Sequence, residues 1–169
     1  MFLKGSKVVH PFYGAGTIVE IQEKSIGESS HAYYIIDTVS RPMQLMVPVN
    51  RAEDVNLRPV APAPELRNDL EICCAPPAAS EISKDLRARQ AKMREQLKSG
   101  AFDQIANVTR VLYFMSTRRP LGTVDRQLLE QGKDLLAGEL ALASCVDVDQ
   151  AKQEVEDRLM AMLDALEEE

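Results

Sequence analysis

A stretch near the start of the chain, residues 7–19, constrains the fold more than any other part of the sequence. It reads KVVHPFYGAGTIV, so β-branched residues flank a His-Pro pair and two glycines. Proline cannot donate a ladder hydrogen bond, and glycine tolerates backbone conformations that other residues avoid. Valine, isoleucine and threonine favour extended strands. The stretch therefore predicts a strand, a sharp kink and a second strand, which is the corner that a small bent β-barrel needs.

Further strand signals follow at short intervals. Residues 31–39, HAYYIIDTV, are rich in β-branched and aromatic side chains and predict the strongest strand of the chain. Turn residues precede it at 27–30, and residues 43–47 predict one more strand. About five short strands with no helix among them indicate a small, open antiparallel β-barrel of the Tudor or SH3 kind over residues 1–60.

The rest of the chain changes in character twice. Prolines are concentrated in residues 61–80, which predicts a proline-rich connector with about one helical turn at 65–72. Residues 81–169 instead repeat apolar side chains three and four positions apart, the spacing of one buried helix face. They predict an all-α helical bundle, so the fold class is α+β. The predicted helices cover 81–98, 103–119, 124–143 and a last segment that begins at Asp147 or Asp149.

Leucines seven residues apart in the third predicted helix, at 128, 135 and 142, resemble a dimerising zipper. The other predicted helices carry matching apolar stripes. We therefore interpret the leucines as part of an intramolecular core.

Charge is distributed unevenly along the chain, whose formal net charge is −6. Residues 1–60 are neutral, with six basic and six acidic residues. Residues 81–119 carry nine basic and four acidic residues, a net +5, and residues 120–169 carry four basic and thirteen acidic residues, a net −9. Bulk attraction to DNA is therefore excluded, and any DNA contact must be local to the basic segment.

Several classes of protein find no support in the sequence. No stretch approaches the roughly 20 apolar residues of a membrane-spanning helix, and the start of the chain is charged too early for a secretory signal. No glycine-rich loop leads into a helix with a lysine. The only histidines are His10 and His31, too few for a metal cluster, and we interpret His10 as a kink residue rather than a general base. We expect a cytoplasmic protein that is not an enzyme and has no cofactor, metal or small-molecule substrate.

The opening resembles the CarD/CdnL family of bacterial RNA-polymerase-binding transcription regulators. It follows the family pattern G-x-x-V-V-x-P-x-x-G-x-G with Gly5, Val8, Val9, Pro11, Gly14 and Gly16. The resemblance continues in four later segments, at residues 47–48, 52–58, 97–100 and 136–143.

For the barrel, the resemblance implies docking on the β subunit of RNA polymerase by strand addition. Lys24 falls where the family usually carries a basic residue, although it can also be read as an ordinary solvated strand residue. Met46 replaces another basic residue, and a thioether cannot form a charge-assisted hydrogen bond. The implied polymerase-binding residues are Ile21, Lys24, Ile26, Gln44, Met46 and Pro48.

For the helical domain, the resemblance implies weak, largely sequence-independent contact with promoter DNA near the transcription bubble. Many family members use a tryptophan as a minor-groove wedge, but this chain has none, and the wedge position falls on Leu86. Leu86 is either an apolar wedge or an ordinary packed helix residue. Phe114 and Met115 replace a polar, basic pair often found in the family. The implied DNA-binding residues are Leu86, Arg87, Arg89, Lys92, Arg94, Arg110, Arg119 and Arg126.

The expected function is therefore that of a CarD-like regulator that binds polymerase through residues 1–60 and modulates the stability of the open promoter complex through residues 81–169. The missing tryptophan and the acidic end of the chain leave an alternative open. In that alternative, the polymerase-bound protein is an adaptor whose helical domain binds another protein rather than DNA.

Overall fold

The computed structural model describes residues 1–168, in which five strands precede five helices, and this layout confirms the predicted α+β class. The strands are β1 (Lys7–His10), β2 (Gly14–Ile26), β3 (Ser29–Thr38), β4 (Gln44–Pro48) and β5 (Arg58–Pro59). The helices are α1 (Ala63–Leu70), α2 (Leu86–Lys98), α3 (Phe102–Arg118), α4 (Thr123–Ser144) and α5 (Val148–Glu167).

The strands form one antiparallel sheet in the order β4-β3-β2-β1-β5. The sheet does not close into a complete barrel, because β4 and β5 do not pair with each other within residues 1–168. The predicted strand, kink and strand over residues 7–19 are confirmed as β1, a turn and β2. A Cβ on Gly16 would lie 2.6 Å from the carbonyl oxygen of Asp37, so the second glycine of the motif is where two backbones approach closely.

The core of the sheet domain lies on one face of the sheet. Tyr34 and Ile36 of β3 point into it, and both are 1% exposed. A bulge between Ile18 and Glu20 shifts the register of β2 against β3 and bends the strand over this core. The amino-terminal Phe2 packs edge-on against Tyr34, at 5.8 Å between ring centroids, and its N–H donates to the tyrosine oxygen at 3.0 Å.

Residues 61–80 differ from the expected connector because they pack into the helical domain. Leu66 and Leu70 of α1, with Cys73 in the 3-10 turn that follows, are fully buried. Pro62 and Pro64 do not prevent the helix, since they lie at its amino-terminal end, where no intrahelical N–H is needed. The prolines therefore start a packed helix within the predicted connector, and this helix overlaps the helical turn predicted at 65–72.

Helix boundaries follow the capping residues. Helix α2 begins at Leu86 rather than at the predicted residue 81, because the Asp85 carboxylate caps it by accepting from the N–H of Ala88 at 3.2 Å. The expectation that Asp147 opens the last helix is confirmed. Its carboxylate accepts from the N–H of Gln150 at 3.0 Å.

The helical domain has one continuous apolar core drawn from all five helices. Of the three leucines seven residues apart in α4, Leu128 is buried in this core and Leu135 packs partly buried against it. The neighbouring Leu129, Leu136 and Leu140 are buried in the same core. Among residues 1–168, no helix combines the length and apolarity needed to cross a membrane.

The sheet domain and the helical domain meet at a cluster that we call the joint. It consists of Arg58, its ion-pair partner Glu139 and the carbonyl group of Gly100. Two guanidinium nitrogens of Arg58 donate to the two carboxylate oxygens of Glu139 at 2.6 and 2.7 Å. The same guanidinium donates to the carbonyl oxygen of Gly100 at 2.7 and 3.0 Å. Because Glu139 is only 2% exposed, its charge depends on this partner.

Helix α4 also packs against the sheet itself, beside β1 and β2. The Ser40 hydroxyl donates to the carbonyl oxygen of Asp134 at 3.0 Å, and the Lys7 ammonium donates to that of Leu142 at 2.8 Å. A Cβ on Gly138 would lie 2.6 Å from the Ser40 oxygen, so a larger residue here would displace the Ser40 hydroxyl from its present position. The two domains are therefore held in one orientation by several independent contacts.

We expect Glu139→Gln to lower the free energy of unfolding by about 2–3 kcal/mol, since it leaves Arg58 without its carboxylate. The loss is below that for a wholly buried pair because the Arg58 side chain is 30% exposed and regains some water. Urea unfolding at neutral pH measures it. Glu130→Gln removes an exposed carboxylate from the same helix and should cost under about 1 kcal/mol. Equal losses for both variants would contradict a special role for the joint.

Candidate interaction surfaces

The face of the sheet opposite its core, which we call the outer sheet face, collects most of the residues predicted to contact polymerase. Because Tyr34 and Ile36 point inward, the alternate residues of β3 point outward. Residues directly opposite each other in a ladder share a face, and the β3 partners of five candidates all lie at these outward positions. The five are Lys24, Ile26, Gln44, Met46 and Pro48.

Ile21 is the exception among the six candidates. It lies opposite Tyr34 and therefore on the inner face of the sheet. Its side chain is 39% exposed, since the core does not extend over this part of β2. The structure thus separates Ile21 from the other five residues.

The outer sheet face offers both apolar surface and free main-chain groups. Ile26 is 70% exposed and Met46 is 42% exposed. Met46 lies directly opposite Ile35, which is buried, so Met46 supplies the apolar surface next to the sheet edge. Strand β4 pairs only with β3, which leaves its other edge free of strand partners within the described residues. An edge of this kind can pair with a strand from another protein.

Leu86, at the wedge position, is not packed like an ordinary helix residue. It lies seven residues before the buried Met93, which places both on nearly the same face of α2. Even so, Leu86 is 55% exposed, because it borders a cleft of 550 Å³ between the start of α2 and the loop that leads into α4. Arg119 lines the same cleft.

Arg89 lies beneath that cleft and is only 8% exposed. Its guanidinium donates to both carboxylate oxygens of Asp125, at 3.1 and 3.0 Å, and Gln90 donates to the same carboxylate at 3.2 Å. A buried bidentate pair of this kind fixes the start of α2 against the start of α4. Little of the Arg89 surface is left for a phosphate group, and its DNA contact stays a prediction.

Arg110 is also enclosed, with 6% of its surface exposed. It donates to the carbonyl oxygens of Ala75 and Pro76, at 2.8 and 3.2 Å, and forms an ion pair with Glu81 at 3.2 Å. The hydrogen bond from Arg110 lowers the pKa of the Glu81 carboxyl. Arg110 thus binds residues 75–81 to α3, and its DNA contact also stays a prediction.

The remaining predicted DNA-binding residues, Arg87, Lys92, Arg94, Arg119 and Arg126, are exposed. At about 100° per residue, Arg87 and Arg94 share one side of α2, whereas Lys92 lies on the other side. Lys98 continues the Arg87 and Arg94 side and is exposed as well. Sequence reasoning missed Lys98, although its position four residues after Arg94 is a readable signal.

Sequence reasoning also missed the side chains at the turn between β1 and β2. The Nδ1 atom of His10 accepts hydrogen bonds from the N–H groups of Phe12 and Tyr13, at 3.1 and 3.3 Å. Burial lowers the pKa of His10 below its ordinary value of 6.5, which keeps the ring in the neutral form that can accept. The turn presents Phe12, 53% exposed, and Tyr13, 44% exposed, at the boundary between the two domains.

Comparison with known proteins agrees with this two-part architecture. Residues 2–61 match the family model described as the CarD-like/TRCF RID domain, and residues 77–156 match the one described as the CarD C-terminal domain. An amino-terminal sheet of the first type followed by a helical domain of the second defines a CarD-like transcription factor. The chain belongs to the CarD/CdnL family.

One relative covers nearly the whole chain. It is the Bacillus subtilis (strain 168) protein named "Putative transcription factor YdeB", which is 27% identical over 152 residues. The match includes 90% of this chain and 98% of the relative, so the two proteins share both domains in the same order.

We expect the stability of the protein to fall as the pH drops below about 6.5, in part because of His10. The unfolded chain takes up a proton near the ordinary pKa of histidine, 6.5, whereas the folded chain takes it up only at lower pH. The stabilisation is therefore complete above pH 6.5 and is lost as the pH falls through the lowered pKa. Urea unfolding at pH 7.5 and pH 5.5 measures the difference.

The matched control for this prediction is His10→Asn. The asparagine oxygen can accept from the N–H two residues on but does not titrate. Its stability should depend less on pH over this interval than that of the parent. An identical pH dependence for the two proteins would show that His10 does not contribute.

Proposed function

We propose that this protein docks on the β subunit of bacterial RNA polymerase through the outer sheet face and the β4 edge. Its helical domain then contacts promoter DNA beside the transcription bubble and modulates the stability of the open complex, in the cytoplasm. The observation that carries the proposal is the register of the sheet, which brings five of the six predicted contact residues to one exposed face beside an unpaired edge.

Docking by strand addition requires both parts of this surface. The free edge of β4 supplies main-chain hydrogen bonds, which give affinity without regard to sequence. The side chains of the outer sheet face supply specificity. The exposed thioether of Met46, opposite Ile35, buries apolar area against the partner, and Lys24 offers a cation to an acidic residue of polymerase.

The DNA contact is expected to be weak by itself. After Arg89 and Arg110 are set aside, the exposed basic residues of the predicted set are few, and they contact phosphates rather than bases. Leu86 is exposed at the rim of its cleft, which supports its proposed role as a minor-groove wedge of the kind that apolar side chains of architectural proteins form. Docking on polymerase raises the effective concentration of this contact, so that a small preference for the open complex is enough to shift the equilibrium.

Docking is tested with Lys24→Glu, which we expect to weaken binding to purified RNA polymerase by about tenfold, because one favourable charge pair becomes a repulsion. Fluorescence polarisation with the full-length labelled protein measures the affinity. The matched control is Lys4→Glu, the same charge reversal at an exposed lysine of the same domain that precedes the sheet. If both variants bind polymerase as the parent does, the outer sheet face is not the docking surface.

The wedge is tested with Leu86→Ala, which we expect to shorten the lifetime of open promoter complexes by roughly five- to tenfold relative to the parent, because apolar area at the wedge is lost. A fluorescent probe in the melted region reports the lifetime. Met160→Ala is a close control, since Met160 is an apolar helix residue with the same 55% exposure. Equal lifetimes for the two variants would remove Leu86 from the mechanism.

A specific observation favours the adaptor as the second candidate. Two of the arginines predicted to contact DNA are bonded inside the fold, which reduces the basic surface of the helical domain. An adaptor would bind polymerase with the same dependence on Lys24, but Leu86→Ala would leave open-complex lifetimes unchanged.

A further inference from the structure

Three neighbouring clefts lie in a row across the boundary between the domains. The first is the 550 Å³ cleft beside Leu86, and Val124 lines both it and a second cleft of 330 Å³. Phe12 and Gln131 line both the second cleft and a third of 250 Å³, which reaches Met43. The shared residues show that the three clefts are adjacent, and we call the row the long groove.

The second cleft carries positive charge in a protein whose net charge is negative. Arg94 and Lys98 line it, and no carboxylate is among its lining residues. Both side chains are exposed, and neither forms an ion pair within the described residues 1–168. The middle of the long groove is therefore a site where phosphate groups are favoured.

The flanking clefts add little negative charge to oppose this. The first contains Asp125, whose carboxylate is bound on both oxygens by Arg89. The third contains Asp134, which accepts from the Lys152 ammonium at 3.2 Å, and it also contains the exposed Arg41.

An exposed aromatic ring borders this positive region. The chain has only four phenylalanines and four tyrosines, and no tryptophan, yet Phe12 is 53% exposed. Its ring is held edge-on by Tyr13 at 4.8 Å between centroids, and the backbone of the turn is fixed by His10. A single exposed apolar residue is ordinary. A rigid ring between two clefts and next to two free cations is the arrangement that binds unpaired nucleotides.

We propose that the long groove binds an unpaired DNA strand, with Arg94 and Lys98 contacting its phosphates and the Phe12 ring stacking on one of its bases. The inference rests on the proposed function and specifies its DNA ligand. A duplex does not fit as well, since its bases already stack on each other and cannot meet the ring. From Leu86 to Lys98, α2 is about 18 Å long, which is about five steps of a stacked strand. A wedge at one end and a stacking ring near the other would together span a junction between paired and melted DNA.

The test compares two labelled probes, a blunt DNA duplex and the same duplex with a single-stranded extension of six thymidines. The full-length parent should bind the extended probe more tightly. Phe12→Leu keeps apolar volume but removes the ring, and we expect it to lower affinity for the extended probe about tenfold while leaving the blunt duplex unchanged. Phe12→Tyr keeps a ring and should retain the parent's affinity. Met160→Ala controls for the loss of apolar surface elsewhere.

The phosphate contacts are tested by salt dependence. Replacing both Arg94 and Lys98 with alanine should reduce the slope of log affinity against log salt for the extended probe by roughly 1.4, the value for two single-strand phosphates. Lys4→Ala, at an exposed lysine outside the groove, should leave the slope unchanged.

Four outcomes would overturn the inference. The first is equal affinity of the parent for both probes, and the second is no effect of Phe12→Leu on binding of the extended probe. Either result leaves the proposed function intact if Leu86→Ala still shortens the lifetime of open complexes. Displacement of the extended probe by an octamer of glutamate, with binding of that peptide insensitive to Phe12→Leu, would instead identify the groove as an acidic-peptide site. Failure of the parent to bind either probe or to alter open complexes would remove the DNA half of the proposed function as well.

Discussion

The structure depends on the buried carboxylate of Glu139, which must have a charged partner and finds it in Arg58. A carboxylate that is 2% exposed would be strongly destabilising without a cation, so α4 and β5 are bound to stay together in the folded state. The same guanidinium binds the carbonyl oxygen of Gly100, which adds the turn between α2 and α3. One arginine thus joins the last strand of the sheet to two parts of the helical domain and sets how the two interaction surfaces face each other.

The residues that carry the family resemblance are largely the residues of this joint and its surroundings. Arg58 ends the segment 52–58, Gly100 ends 97–100, and Glu139 lies in 136–143, so three motif segments far apart in sequence converge at one point. Gly138, beside Glu139, gives the space that Ser40 fills. The resemblance therefore reports chiefly on how the domains are held together. The proposed contact surfaces, where Met46 and Leu86 replace the residue types usual in the family, do not take part in holding the domains together.

Local patterns predicted the secondary structure well because they act through local physics. Alternation gave the strands, a three-and-four spacing gave the helices, and Asp147 marked a helix start. Local patterns do not predict contacts between residues that are far apart in the sequence. The prolines at 62 and 64 are typical of a connector, yet Leu66 is buried in the helical core. Arg89 and Arg110 are predicted DNA contacts, but in the folded chain they pair with Asp125 and Glu81. The spacing of charges along one helix does not reveal a carboxylate on another. The exposed ring of Phe12 likewise becomes a candidate stacking site only because Arg94 and Lys98 line the same cleft.

The packing of residues 61–80 determines how the proposed bivalent binding would work. A flexible tether would let the helical domain search for DNA at many distances, and the gain in effective concentration would be modest and tolerant of geometry. Here α1 is buried in the helical core and the joint fixes the domains, so the distance from the outer sheet face to Leu86 is set by the fold. A protein with two rigidly held contact surfaces binds both targets well only when the distance between the targets matches the distance between its surfaces. The proposed preference for the open complex then follows from geometry, because melting moves the DNA relative to polymerase while the span of the protein stays constant. The long groove has the same dependence, since Phe12 belongs to the sheet domain and Arg94 to the helical domain, and it exists only in this orientation.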